Sequence, residues 1–277
     1  MVRIRGWGMK GSVIPHSVVT VRRGAEIHYN WDITPAPGKT GTGKNAGSRY
    51  NPPHFSRSPA NNPVIIMTGE IRDFNAAAKT WDENPFRVKL AADVARAMID
   101  TVPLAPDMDV LDFGCGTGLL AFQLQPHVRS ITGIDSSEGM LAILNEKIHY
   151  GNILNVKTRQ IDLDRGDVLT GQYNLIISSM TLHHIRNVPA LLAQFYNVLP
   201  PGGWLAIADL DPDGGKFHED NTGVFHFGFE REAQKQAFRD AGFDQVQDRT
   251  AAMVSKPMPD GQARSFTVGL ITGKKFR

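Results

Sequence analysis

The sequence predicts an α/β protein built on a doubly wound, seven-stranded, mostly parallel sheet whose last strand runs antiparallel. Three observations carry that expectation. From Met67 onward, short apolar runs alternate with segments whose apolar residues recur at helical spacing. The first run, Val110-Leu111-Asp112-Phe113, enters Gly114-Cys115-Gly116-Thr117-Gly118 directly, as a strand does when it turns sharply into a ligand-binding loop. The last two runs have no helical pattern between them, so they should pair antiparallel.

The elements follow in order. Residues 73–82 and 84–102 read as helices, the second because Val88, Leu90, Ala91, Val94, Ala97 and Met98 share one face. A first strand spans 107–113, and a helix over 117–125 is expected after the glycines. A second strand lies at 130–134. The helix after it, 137–148, carries Met140, Leu141, Leu144 and Ile148 and takes a cap near Ser136. Strands follow at 156–161 and 173–178, and a helix at 187–198. The turn Pro200-Pro201-Gly202-Gly203 leads into a strand at 204–208. A helix at 229–241 precedes closing strands at 244–250 and 265–272. Residues 67–277 thus form one domain, with 73–102 as an N-terminal helical cap. Residues 211–229, rich in Gly, Asp, His and Phe, form a lid walled by Phe217, Phe225 and Phe227. Trp81 is expected to supply the opposite wall.

Residues 1–66 read differently. Gly, Pro, Asn and Ser crowd 33–63, and apolar residues keep no sustained period. The segment carries nine Lys/Arg against two Asp/Glu, while the remainder carries 21 against 26. A poorly ordered, dispensable basic extension is the expectation here. Its Gly38-Lys39-Thr40-Gly41-Thr42-Gly43-Lys44 fits GxxxxGK, but Asn45 stands where a magnesium-binding hydroxyl belongs and no strand precedes it. It is read as linker.

Composition narrows the class further. The chain has 277 residues, 41% hydrophobic and 21% charged, as in an ordinary globular protein. Cys115 is the single cysteine, which excludes an intrachain disulfide and a cysteine-rich zinc site. No apolar run spans a bilayer and no secretory signal opens the chain, so a cytoplasmic protein without a membrane partner is expected. The net acidic domain disfavours a nucleic-acid partner and leaves a small-molecule substrate. The oligomeric state is not encoded in any motif.

The glycine loop alone fits two ligands. Gly116-Thr117-Gly118-Leu119-Leu120-Ala121 satisfies GxGxxA, and Asp135 follows at the distance of a dinucleotide fingerprint, so an NAD(P)-dependent oxidoreductase is one reading. Asp112 argues against it, because a carboxylate entering the loop repels a pyrophosphate and welcomes a cation. A non-catalytic cofactor-binding or RNA-associated module remains a further alternative.

Asp112-x-Gly114-x-Gly116-x-Gly118 resembles motif I of the class I S-adenosylmethionine-dependent methyltransferases. Ile131-Thr132-Gly133-Ile134-Asp135-Ser136-Ser137 resembles that fold's second strand, Gln160-Ile161-Asp162 the acid after the third, and Tyr173–Ser179 the fourth. Leu199–Gly203 is similar to the turn before the fifth. The likeness covers roughly 70–277 and is nearest to the small-molecule type 11 and type 25 domains. It implies in-line methyl transfer from S-adenosylmethionine to a small-molecule acceptor. The cofactor would be held by Asp112, Gly114, Cys115, Gly116, Gly118, Asp135, Ser136, Met140, Asp162, Leu163, Ser178 and Ser179. Among these, Asp135 would take the ribose hydroxyls and Asp162, in competition with Asp164, the adenine amino group. Asn174 stands where the family usually has Asp.

Methyl transfer needs positioning and sometimes a base. His184, which follows the fourth strand in Met180-Thr181-Leu182-His183-His184, and His218 and His226 after the fifth are the candidate catalytic residues. Asp209 and Asp211 are read into the loop with them. A metal site from His218, His226, Asp211 and Asp213 matches no strong template, and no metal is expected.

Overall fold

A computed structural model describes residues 72–258 and 261–276. The expected extension over 1–66, its GxxxxGK segment and the domain's first residues lie outside the described residues.

Seven strands form one sheet in the order β3-β2-β1-β4-β5-β7-β6. They are β1 (Asp109–Phe113), β2 (Ser130–Asp135), β3 (Val156–Gln160), β4 (Leu175–Ser179), β5 (Trp204–Leu210), β6 (Asp244–Pro257) and β7 (Ala263–Lys274). The first five pair in parallel, and β7 runs antiparallel to both β5 and β6. The helices are α1 (Phe74–Ala77), α2 (Pro85–Thr101), α3 (Ala121–Leu124), α4 (Glu138–Tyr150), α5 (Val188–Val198) and α6 (Arg231–Asp240).

The period-two geometry of a strand divides its apolar residues between two cores. Val110, Leu175, Ile177, Ala206 and Leu270 meet α2 and α3 on one face. Leu111, Phe113, Ile176, Ile207 and Ile271 meet α5 and Phe238 of α6 on the other. Burial on both faces explains why the central strands read as nearly continuous apolar runs. The chain winds outward from β1 to β3, then returns to β4 on β1's other side. The switch point therefore lies between the carboxyl ends of β1 and β4, where such sheets bind ligands.

Several elements differ from expectation. The helix after the glycines spans only Ala121–Leu124, because Gly116 (φ 52°) and Gly118 (φ 84°) are left-handed and the first α-type bond is Phe122 N–H to Gly118 O. Pro126 then leads a 3₁₀ turn over Gln125–His127. The 73–82 helix opens as α1, capped by Asp73, and tightens into a 3₁₀ helix over Ala78–Glu83. The cap expected near Ser136 is Ser137, its hydroxyl accepting from Met140 N–H. The closing strands are longer than expected and make an extended hairpin, and Asp209 lies within β5 rather than in the loop after it.

Candidate active site

All three loop glycines are left-handed, at φ 69°, 52° and 84°, but they are glycine for different reasons. A Cβ on Gly114 would lie 2.3 Å from Thr181 Oγ1, and one on Gly118 would lie 2.5 Å from Leu144 Cδ1. Those two let the protein pack against itself. A Cβ on Gly116 would meet nothing closer than Met140 Sδ at 4.0 Å. Gly116 thus faces open space at the switch point, where a ligand can approach the main chain.

Carboxylates surround that space. Asp135, at the end of β2, accepts Gly116 N–H at 2.8 Å and Ser137 N–H at 2.9 Å. Burial nevertheless raises its pKa, against the pull of those donors. Asp112 is buried, and its Oδ2 has no hydrogen-bond partner. Burial, with the nearby Asp135 charge second, pushes its pKa up to about 8. Asp82 accepts Thr117 Oγ1 at 2.5 Å and Lys147 Nζ at 2.6 Å, strapping the N-terminal cap to the loop and to α4. Asn75 does the same from α1, accepting Ser137 Oγ and Gly139 N–H, both at 2.8 Å. Asn75, Asp82, Thr117 and Lys147 carried no sequence signal, since each makes its contact with a residue at least 30 positions away.

The orphaned Asp112 oxygen is what a cationic ligand relieves, and S-adenosylmethionine brings an ammonium and a sulfonium to such a seat. A pyrophosphate would meet the acidic side chains of Asp112 and Asp135 instead. The four-residue α3 also offers it no helix dipole of consequence. The donor set therefore fits the group that the sequence resemblance implied.

Four residues assigned to that set turn inward or shape the loop instead. Cys115 packs its sulfur against Gly133, Leu141 and Leu144, and its N–H donates to Ile134 O at 3.0 Å. Burial pushes its thiol well up, so it is a packing residue. Ser178 is fully buried and donates its hydroxyl to Phe113 O at 2.9 Å, stitching β4 to β1. Gly114 and Gly118 shape the loop rather than face the ligand. Met140 is buried beside Gly116. Asp162 caps a 3₁₀ turn, accepting Asp164 N–H at 3.0 Å, and pairs with Arg165 at 3.1 Å. Leu163 packs against the second core, Ser136 O accepts Gln160 Nε2 at 3.0 Å, and Ser179 O accepts Thr181 Oγ1 at 3.1 Å.

The histidines gather on the far side of the switch point. Met180, left-handed at φ 56°, turns the chain out of β4 into a 3₁₀ helix, Leu182–His184. His183 is buried, with Nδ1 2.6 Å from Asp209 Oδ1 and Nε2 3.1 Å from His218 Nε2. Arg72 Nη1 stands 3.4 Å from His218 Nδ1. One proton arrangement satisfies every contact: Arg72 donates to His218 Nδ1, His218 Nε2–H donates to His183 Nε2, and His183 Nδ1–H donates to Asp209. Burial favours protonation of Asp209, but the His183 ring and the N–H donors around it win, holding its pKa below the ordinary value. Burial, then repulsion from His183, lowers His218 to about 3 and His184 to about 4.

His184 donates Nδ1–H to Gly223 O at 2.7 Å and packs edge-on against Phe74, ring centroids 5.2 Å apart. Its Nε2 is the imidazole nitrogen of the trio left with an uncommitted lone pair. His226 stands apart from the trio, donating Nε2–H to Ile185 O at 2.9 Å beside Phe229. The metal set considered in the sequence is not assembled. Asp211 is taken by Arg231 and Thr267, and Asp213 caps Gly215 and Phe217. His183, His184 and His218 do gather within 4.8 Å. An ion on His218 Nε2 would, however, leave Nδ1–H facing the Arg72 donor, so Arg72, His218, His183 and Asp209 form a hydrogen-bonded relay, with His184 beside it.

Residues 211–229 cross above the histidines. Phe225 and His226 N–H both reach His183 O, at 2.8 and 3.3 Å, and a Cβ on Gly223 would lie 2.9 Å from Arg72 N. Phe217 packs on Phe266 and faces inward, whereas Phe227 is half exposed and Phe225 lies beneath Arg186. Only Phe217 of the three is therefore placed as a wall. Trp81 carries Arg87 3.8 Å above its ring.

Residues 86–248, more than half of the chain, match the family model described as a methyltransferase domain. An uncharacterized methyltransferase of Schizosaccharomyces pombe is 33% identical over 118 residues, which are 40% of this chain and 42% of that protein. Phosphoethanolamine N-methyltransferase 3 of Arabidopsis thaliana is 30% identical over 168 residues, 57% of this chain and 34% of the relative. The matched segment thus spans less than half the length of these curated relatives. Among solved structures, phosphoethanolamine N-methyltransferase 2 of Haemonchus contortus in complex with S-adenosyl-L-methionine superposes with a TM-score of 0.55 at 15% identity. It covers 75% of this chain and 61% of its own, a likeness of fold.

Proposed function

The chain belongs to the methyltransferase-domain family, and from that premise we propose that it moves a methyl group from S-adenosylmethionine to a small-molecule acceptor held under residues 211–229. The observation that carries this reading is the open face of Gly116 beside the unpartnered Asp112 oxygen. The dinucleotide alternative falls with the family assignment. Support for a small acceptor comes from the Arabidopsis relative, whose name gives phosphoethanolamine as its substrate.

When bound, S-adenosylmethionine supplies an electrophilic methyl group on a good leaving group. Asp112 holds the ammonium end of that cofactor, Asp135 the ribose hydroxyls, and Asp162 with Leu163 the adenine. Gly116 and Met140 shape the floor, and Ser136 and Ser179 line the edges. The Asp82 and Asn75 straps fix the cap so that the nucleophile and the methyl stay collinear, where small misplacements are costly. His184 Nε2, neutral with its lone pair free, takes the acceptor's proton as charge develops on the nucleophile. Asp209, His183 and His218 act as positioning residues that hold the wall beside it. His226 anchors the loop through Ile185 O.

Calorimetric titration with S-adenosylmethionine and S-adenosylhomocysteine tests the assignment. Binding that is lost in Gly116→Val and weakened in Asp135→Ala is expected. Equal affinity for NADH, or no binding of either sulfur compound, would sink it. Among the described residues no helix is long and apolar enough to cross a membrane.

A further inference from the structure

The acceptor side of the site is lined by cations that the reading above leaves without work. Arg72 precedes α1, Arg87 lies in α2 and Lys256 comes from β6, far along the chain. They converge on one aromatic floor. Arg87 lies 3.8 Å above Trp81, whose ring stands 6.0 Å from Phe74. Phe74 packs on His184 and carries Arg72 at 5.6 Å. Arg72 reaches His218, and its neighbour Phe217 bears Lys256 at 4.4 Å on its ring and 2.7 Å on its carbonyl.

Each cation is part-buried, and its hydrogen bond goes to an imidazole or a main-chain carbonyl. None forms an ion pair with a described carboxylate. The acids facing the group stand at its rim: Asp82, engaged by Thr117 and Lys147, Asp220, engaged by Thr222, and exposed Glu219. The cations also repel one another. Burial first, and then Arg72, lowers Arg87, and Lys256 is lowered by burial with Arg87 and Arg72 opposing its charge. Three part-buried, mutually close cations beside a reaction site are stabilised by a ligand that brings the missing negative charge.

We propose that Arg72, Arg87 and Lys256 form an oxyanion-binding site, so that the methyl acceptor carries a multiply charged anionic group, a phosphomonoester or a polycarboxylate. This rests on the methyltransferase reading of the same site. The planar guanidinium groups supply paired donors suited to such oxygens, and Lys256 a point charge. The aromatic floor holds the uncharged part of the molecule, with the reacting atom directed at His184.

The test uses the full chain saturated with S-adenosylhomocysteine and titrated at low ionic strength with inorganic phosphate, citrate and choline. Calorimetry and thermal shift read the binding. Phosphate or citrate should bind and choline should not. Phosphate binding alone identifies the phosphomonoester, citrate binding alone the polycarboxylate. Arg72→Gln and Lys256→Gln should each weaken binding about tenfold or more, while S-adenosylhomocysteine affinity stays at the wild-type value. Arg72→Lys, which keeps the charge, should retain most of the anion affinity. Failure of both anions to bind the wild-type protein overturns the proposal, as does anion binding that survives both Gln substitutions. Failure of S-adenosylhomocysteine to bind overturns the methyltransferase reading instead, so the two failures are separable.

Discussion

Replacing Asp112 with asparagine tests the cofactor seat through stability as well as affinity. The carboxyl group is fully buried, one of its oxygens has no partner, and its pKa rises from 3.8 to about 8. A carboxyl group whose folded pKa is raised has its full stability below the unfolded pKa. It loses that stability as pH climbs through the folded one. Wild-type protein free of ligand should therefore weaken between about pH 4 and pH 8, as Asp112 ionises in the unfolded chain but stays neutral where it is buried. Near pH 7 the difference is about three pKa units, on the order of 4 kcal/mol at 1.36 kcal/mol per unit.

A carboxamide cannot ionise, so Asp112→Asn escapes that loss. Any fixed cost of the buried amide is the same at every pH. The stability of the variant relative to wild type should then improve by on the order of 4 kcal/mol from pH 4 to pH 7, measured by urea unfolding of ligand-free protein. S-adenosylmethionine affinity should move the other way, falling about tenfold or more as the ammonium loses its counter-charge. Wild-type affinity should rise with pH up to about pH 8, because binding favours the ionised form. A stability difference that stays flat across this pH range would refute the buried-charge argument. Unchanged affinity would remove Asp112 from the cofactor set.

Other perturbations separate fold from site. Gly114→Ala should cost about 2–4 kcal/mol in thermal or urea unfolding, since its Cβ would strike Thr181 in a left-handed backbone; Thr181→Ala should return part of that cost. Gly116→Ala should cost only about 1–2 kcal/mol from its backbone conformation while abolishing measurable S-adenosylmethionine binding by calorimetry. Asp209→Asn breaks a fully buried pair and should destabilise the protein by about 3–5 kcal/mol, with proton NMR of the imidazoles reporting loss of the His183 tautomer. Asp82→Ala should leave the melting temperature within a few degrees of wild type but lower cofactor affinity, because it frees the cap from Thr117 and Lys147.

The sheet was legible because each central strand is buried on both faces, so its apolar run is continuous and its ends are marked by turn residues. Asp112, Gly116 and Asp135 were legible because a local spacing encodes them. What the sequence misled on is equally local. The glycines suggested a helix from 117, but their left-handed backbone delays it to Ala121. Cys115 and Ser178 lie among ligand-facing neighbours, yet the local backbone turns both side chains inward. The histidine relay was half visible. His184 and His218 drew attention as titratable groups, while His183, which links His218 to Asp209, is buried beside that carboxylate, 26 residues on. The strap from Asp82 and the cations Arg72, Arg87 and Lys256 leave no periodic trace, since each acts only across the fold.

The two sides of the site now set a condition on the reaction. Methyl transfer moves one positive charge from the sulfonium to the acceptor atom. The departing side holds Asp112 and Asp135, and the receiving side Arg72, Arg87 and Lys256. With a neutral acceptor that movement runs uphill, away from carboxylates and toward cations. An anionic group on the acceptor reverses the gradient on the receiving side. The same group relieves the repulsion that helps hold His184 at about 4, and so lifts its basicity when a proton must be taken. Proton affinity at His184 would then depend on acceptor occupancy. In a titration followed by imidazole NMR, inorganic phosphate or citrate should raise the His184 pKa in the wild-type protein and fail to do so in Arg72→Gln. A His184 pKa that ignores the anion would separate the base from the cations and leave the charge movement uncompensated.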